Sequence, residues 1–208
     1  MSKSAFTLIE LVFVIVVTGV LAGMIIPRLD RDNIFEATTQ VLNHIKYTQH
    51  LAMTEDVYND QINNWFLSRW KIQFFSCGGY TVYSDQNRLG GAPAQSDAAI
   101  DPQTKKFLFT TGLCTENAQS YEKVVLSTYY DIVGNAGTSA FTLSAGCPAQ
   151  FISFDTLGRP YGTNTINGVL KQNCEIILTS GTGRSETIRI HPETGYACIL
   201  NTASNSCI

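Results

Sequence analysis

The chain lacks most of the residue patterns that announce chemistry. It has no HExxH, no GxSxG and no phosphate-cradling loop, so zinc-protease, hydrolase and nucleotide-hydrolysis readings have no anchor. Gly181-Thr182-Gly183-Arg184-Ser185 has neither the spacing nor the lysine of such a loop and reads as a hairpin turn. Positive charge is scarce as well. Fourteen Lys and Arg stand against seventeen Asp and Glu, a net charge of −3. Lys105, Lys106, Lys123, Lys171, Arg184 and Arg189 are scattered among acids, which argues against a nucleic-acid-binding patch. Histidine is limited to His44, His50 and His191. The first two are six apart on an expected helix and do not share a face, while His191 stands before a proline, and all three read as packing or surface residues. Asp85, Asp97 and Asp101 flank loops but do not follow the calcium-loop pattern, so solvated loop acids are expected and no metal or other cofactor is implied.

What is present is a long apolar run with one acid in it. Phe6 to Ile26 reads FTLIELVFVIVVTGVLAGMII, interrupted only by Glu10. About 20 such residues suffice to span a bilayer as a helix, and an acid within a span costs about 2.5–3.5 kcal/mol, which marks it for a role. Lys3 lies in the polar leader, so the positive-inside rule keeps Met1–Ala5 cytoplasmic and sends the rest across. Two cleavage patterns are open. Ordinary signal processing after Val20-Leu21-Ala22 would leave Gly23 first. Cutting between Ala5 and Phe6 would keep the apolar helix and give Phe6 a free amine.

Past Pro27 the apolar pattern becomes periodic. Ile34, Thr38, Val41, Ile45, Thr48 and Ala52, widened by Leu42 and Leu51, make one face of an amphipathic helix. Joined to the apolar run, this predicts one helix over residues 6–53, about 70 Å long at 1.5 Å per residue. Thr54 to Asn64 is a polar loop. Arg69–Phe74 and Tyr80–Tyr83 flank Cys77-Gly78-Gly79 as a hairpin, with Trp65, Trp70, Phe74 and Tyr83 as core and cross-strand pairs. Residues 90–102 form a connection. Lys106–Thr111, Lys123–Thr128 and Ala149–Phe154 are strand candidates, the last followed by a turn at Asp155–Pro160. Glu175–Leu178 and Glu186–His191 form a terminal hairpin, closed by Thr194-Gly195-Tyr196.

All six cysteines, Cys77, Cys114, Cys147, Cys174, Cys198 and Cys207, follow the helix. An even count in an exported segment favours disulfides, and six cysteines allow many pairings. The expected pairs are Cys77–Cys114, Cys147–Cys174 and Cys198–Cys207. Metal binding is the competing use, and no CxxC or paired His-Cys spacing supports it.

Ala5-Phe6-Thr7-Leu8-Ile9-Glu10-Leu11-Val12 resembles the cleavage and methylation site of type IV pilins and type II secretion pseudopilins. The resemblance implies that a prepilin peptidase cuts between Ala5 and Phe6 and N-methylates Phe6. Ala5 departs from the family's usual glycine. Glu10, Gly19 and Pro27 fall on the family's assembly positions, and Glu10 of one subunit would pair with the Phe6 amine of its neighbour. The order of elements after the helix is similar, more loosely, to the heads of minor pseudopilins. The implied architecture is α+β, with a leader over 1–5, a long helix over 6–53 whose first part (6–26) is transmembrane, and a β-rich, disulfide-containing periplasmic head over 54–208. The implied function is structural, that of a minor pseudopilin supporting type II protein secretion, with a minor pilin of a type IV pilus as the alternative. Partners would be other pilin-like subunits in a hetero-oligomeric filament, the prepilin peptidase and the inner membrane, which the chain would cross once. No catalysis is implied.

Overall fold

The computed structural model describes residues 7–25, 33–115, 117–134 and 139–208, with the backbone alone at 22–25. The chain forms two compact units, Met1–Asp32 and Asn33–Ile208. In the first, helix α1 runs over Leu8–Ile25. In the second, α2 runs over Asn33–Thr54.

The expected single helix over 6–53 is thereby corrected to two helices of 18 and 22 residues. The sequence carries the reason. Pro27 cannot donate a helical hydrogen bond and its ring collides with the preceding turn. Asp30, Asp32 and Asn33 are residue types that favour a new helix start. The expected membrane crossing is contradicted too. Among the described residues no helix is long and apolar enough to cross a membrane. This argues against the single-pass inner-membrane placement.

The stripe read along α2 is buried at Ile34, Thr38, Val41, Leu42, Ile45, Thr48 and Ala52; Ala37 joins it, and Leu51 is half-buried. Two of these are threonines. Each hydroxyl donates to the carbonyl four residues back, Thr38 to Ile34 at 2.7 Å and Thr48 to His44 at 2.7 Å, so neither is buried unpaired. This face meets strands from both sheets of the unit.

The first sheet has the order β2-β1-β4-β5 and is antiparallel, with β1 Lys71–Phe75, β2 Gly79–Tyr83, β4 Phe151–Phe154 and β5 Pro160–Tyr161. The β1–β2 hairpin pairs Ile72 with Val82 and Phe74 with Tyr80, and these four point into the core. Its turn needs Gly78, which has φ +88° and whose hydrogen faces the Ile132 carbonyl where a Cβ would collide. The second sheet has the order β3-β6-β7-β8-β9, also antiparallel, with β3 Phe141–Leu143, β6 Cys174–Thr179, β7 Ser185–Ile190, β8 Ala197–Asn201 and β9 Ser206–Cys207. Ile176, Leu178, Ile188, Ile190 and Ile199 supply its core side. Phe74 of β1 and Phe141 of β3 join the two sheets, ring centroids 5.0 Å apart.

Two strand expectations fail. Residues 106–111 make only isolated bridges, at Phe107 with Ile100 and Ser120. Lys123–Thr128 folds as a 3-10 turn (Glu122–Val124) followed by helix α3, Leu126–Tyr130. Its apolar run Val124-Val125-Leu126 is buried on consecutive residues, a pattern that period alone does not assign to strand or helix.

Three disulfides form, Cys77–Cys114, Cys147–Cys174 and Cys198–Cys207, with Cα separations of 5.9, 4.8 and 5.5 Å. They are the pairs expected from the sequence. The first ties the β1–β2 turn to the loop at Cys114. The second ties the β3–β4 connection to the start of β6, and the third ties β8 to β9.

Candidate functional site

Thr7 immediately precedes α1 and Glu10 is its third residue. The Thr7 backbone N–H donates to Glu10 Oε2, and the Glu10 N–H donates to Thr7 Oγ1, both at 3.4 Å. This is a reciprocal capping box, satisfying two donors that a helix start leaves open. The carboxylate also complements the positive end of the helix dipole. The signal was legible as T-x-x-E, and reading Glu10 only as a lone acid overlooked it. Ala5, Phe6 and Pro27 lie outside the described residues.

From Leu11 to Leu21, α1 is apolar on every side but for Thr18. From Leu11 to Val17 each consecutive side chain is exposed, Phe13 at 69 % and Ile15 at 60 %. Thr18, the polar residue in this stretch, donates its hydroxyl back to the Val14 carbonyl at 2.8 Å. A Cβ built on Gly19 would meet nothing within 4 Å. A helix that is apolar all round is normally buried, and an exposed surface of this kind marks an interaction site.

Two clefts of the Asn33–Ile208 unit are lined by titratable and aromatic side chains. One, of about 600 Å³, opens along α2. Gln40 and His44, one turn apart on α2, reach Tyr80. Gln40 Nε2 donates to Tyr80 Oη and to the Lys123 carbonyl, each at 2.8 Å, and the Tyr130 hydroxyl donates to Gln40 Oε1 at 3.0 Å. Tyr80 Oη also hydrogen-bonds with His44 Nδ1, 2.6 Å away. Burial lowers the His44 pKa to about 4, with the Asp101 carboxylate opposing it, and burial pushes Tyr80 well up. At neutral pH every member of this chain of bonds is uncharged. It fixes α2 against β2 and offers no activated nucleophile.

The second cleft, of about 520 Å³, has Arg69 in its wall. The buried guanidinium stacks 3.8 Å from the Tyr161 ring centroid and 4.9 Å from that of Trp65. Nη1 donates to the Thr165 carbonyl at 3.0 Å. Trp65 thus serves as a cation platform where a core role was expected. Beside it Asp155 takes Arg159 Nε at 2.7 Å and the Tyr161 hydroxyl at 3.1 Å.

The loop acids are occupied by their own loops. Asp85 accepts from the Arg88 and Gly90 N–H groups at 3.0 and 2.7 Å. Asp101 accepts from Thr104 N and Oγ1 at 2.8 and 2.6 Å. Two of the scattered bases are spent in ion pairs, Lys106 with Glu122 at 2.6 Å and Arg189 with Glu175 at 2.7 Å. Among the described residues, one trio of potential metal ligands converges: His191, Cys198 and Cys207. Sequence spacing did not signal it, because the β7–β8–β9 meander makes the contact.

No family model matches the chain, and neither does any curated protein or solved structure.

Proposed function

We propose that the chain is a structural, pilin-like subunit, a minor pseudopilin supporting type II protein secretion. The observation that carries the reading is α1, an exposed helix apolar on every side with one acid in its first turn. Other pilin-like subunits would bury that surface. The Ala5–Val12 pattern supports the same reading, because cleavage before Phe6 would set a fresh amine beside the capping box. In the free chain the Glu10 carboxylate holds the Thr7 N–H. In a filament it would pair with the neighbour's Phe6 ammonium, since a low-dielectric setting penalises an unpaired carboxylate and rewards a paired one. Methylation keeps that nitrogen protonated, so the charge survives. The head, stapled by three disulfides, would present its loops outward.

The test is incorporation. Wild-type and Glu10→Leu chains are co-expressed with pilin-like partners, and filament-associated chain is quantified by crosslinking. Loss of incorporation in the variant, with the head still folded by circular dichroism, is the expected result. Incorporation equal to wild type removes the charge pairing and the reading with it.

A further inference from the structure

The C-terminal disulfide sits beside an imidazole. His191 follows β7, Cys198 lies on β8 and Cys207 on β9. The ladder pairs Arg189 with Cys198 and Leu200 with Cys207, which brings His191 Nε2 to 3.7 Å from Cys207 Sγ. The three ligand atoms lie within 4.8 Å of one another. The backbone holds the histidine in place, with the His191 N–H donating to the Tyr196 carbonyl at 2.8 Å. Neither Cys77–Cys114 nor Cys147–Cys174 belongs to such a cluster among the described residues.

We propose that reduction of Cys198–Cys207 converts this corner into a zinc site with His191, Cys198 and Cys207 as ligands. Tetrahedral zinc, with bonds of about 2.3 Å to sulfur and 2.0–2.1 Å to nitrogen, places a sulfur and a nitrogen ligand roughly 3.5 Å apart and two sulfurs roughly 3.8 Å apart. The His191–Cys207 separation of 3.7 Å already fits the first. The second requires the two freed sulfurs to part by a side-chain rotation, which a Cα separation of 5.5 Å accommodates. Two thiolates and one imidazole leave a fourth position. His191 and Cys207 are half-buried, so water reaches it. The steps balance. Two equivalents of a thiol reductant supply two electrons and two protons to the disulfide and leave as their own disulfide. Zinc then displaces the two thiol protons into solvent. The oxidised and metal-bound states exclude each other, so the β8–β9 corner is closed by a covalent bond or by a metal, according to redox conditions. This inference does not depend on the pilin-like reading.

The full-length chain is reduced with a water-soluble phosphine, which donates two electrons and takes an oxygen from water, so no competing thiol is added. After its removal the chain is titrated with Co²⁺ and then Zn²⁺. The expected result is one ion per chain, a thiolate-to-cobalt charge-transfer band that zinc abolishes, and protection of Cys198 and Cys207 from alkylation while Cys77 and Cys114 react. The oxidised chain binds no ion. His191→Ala keeps the disulfide, so its fold is checked in the oxidised state. Once reduced it binds at least about 10- to 100-fold more weakly, the range already seen for the loss of mere supporting partners of metal ligands. If reduction alone unfolds the chain, zinc restores the native circular dichroism. The proposal is overturned by no binding after reduction, by unchanged affinity in His191→Ala, by zinc-dependent protection of cysteines other than Cys198 and Cys207, or by a reduced chain that zinc fails to refold.

Discussion

His44 is the residue whose chemistry the fold alters most legibly. Its unfolded pKa of 6.5 falls to about 4 in the folded chain, because burial disfavours the imidazolium more than Asp101 favours it. Between these values the unfolded chain binds more protons, so stability rises with pH across that window and is lost as pH falls from about 6.5 to about 4. A shift of this size corresponds to at most about 3 kcal/mol. Chemical denaturation of residues 33–208 at several pH values should show this slope, and His44→Gln should flatten it. An equal slope in the variant would place the effect elsewhere. Thr7 gives a second prediction at this scale. Thr7→Ala removes half of the capping box and should weaken the start of α1 by about 0.5–2 kcal/mol, read as faster amide hydrogen exchange in its first turn. Unchanged exchange there would show that the box does not hold the helix start.

At the scale of elements, the legible parts were those whose periodicity matched one state. The α2 stripe and the β1–β2 hairpin were read correctly because Ile34, Val41 and Ile45, and then Ile72, Phe74, Tyr80 and Val82, recur at helix and strand spacing. Val124-Val125-Leu126 has no period and was misread as strand. Phe141–Leu143 is three residues long and gives too short a pattern to see. Ala197–Asn201 was missed because its apolar residues are buried consecutively, without alternation. Of the candidate site, Glu10 was legible and its capping role was not taken up. His191 beside Cys207 was not legible at all, since sixteen residues separate them and strand pairing alone closes the distance. The α2 face carries its own prediction. Ile45 is fully buried, so Ile45→Ala should cost about 2–5 kcal/mol in urea denaturation. Exposed Lys46→Ala should change stability by about 0.5 kcal/mol or less. Equal effects would mean that α2 does not form the core of the unit.

For the whole molecule the division at residue 33 matters most. The Asn33–Ile208 unit holds the core, both sheets and all three disulfides. It should therefore fold alone and sediment as a monomer. Residues 6–208, which retain the apolar α1, should self-associate or require a partner chain to stay dispersed. If both forms sediment alike, α1 is not an assembly surface. The apolar run was plain in the sequence. Treating it as continuous with α2 was the error, because the periodic helix past Pro27 was joined to it without weighing the helix-start residues Asp30, Asp32 and Asn33.

The central claim is that α1 becomes an assembly helix through removal of the first five residues. Intact-mass and N-terminal fragment analysis of chain recovered from cells carrying a prepilin peptidase tests it most directly. The account predicts a mature chain beginning at N-methylated Phe6. A chain that keeps Met1–Ala5 while entering filaments, or one that begins at Gly23, would contradict it.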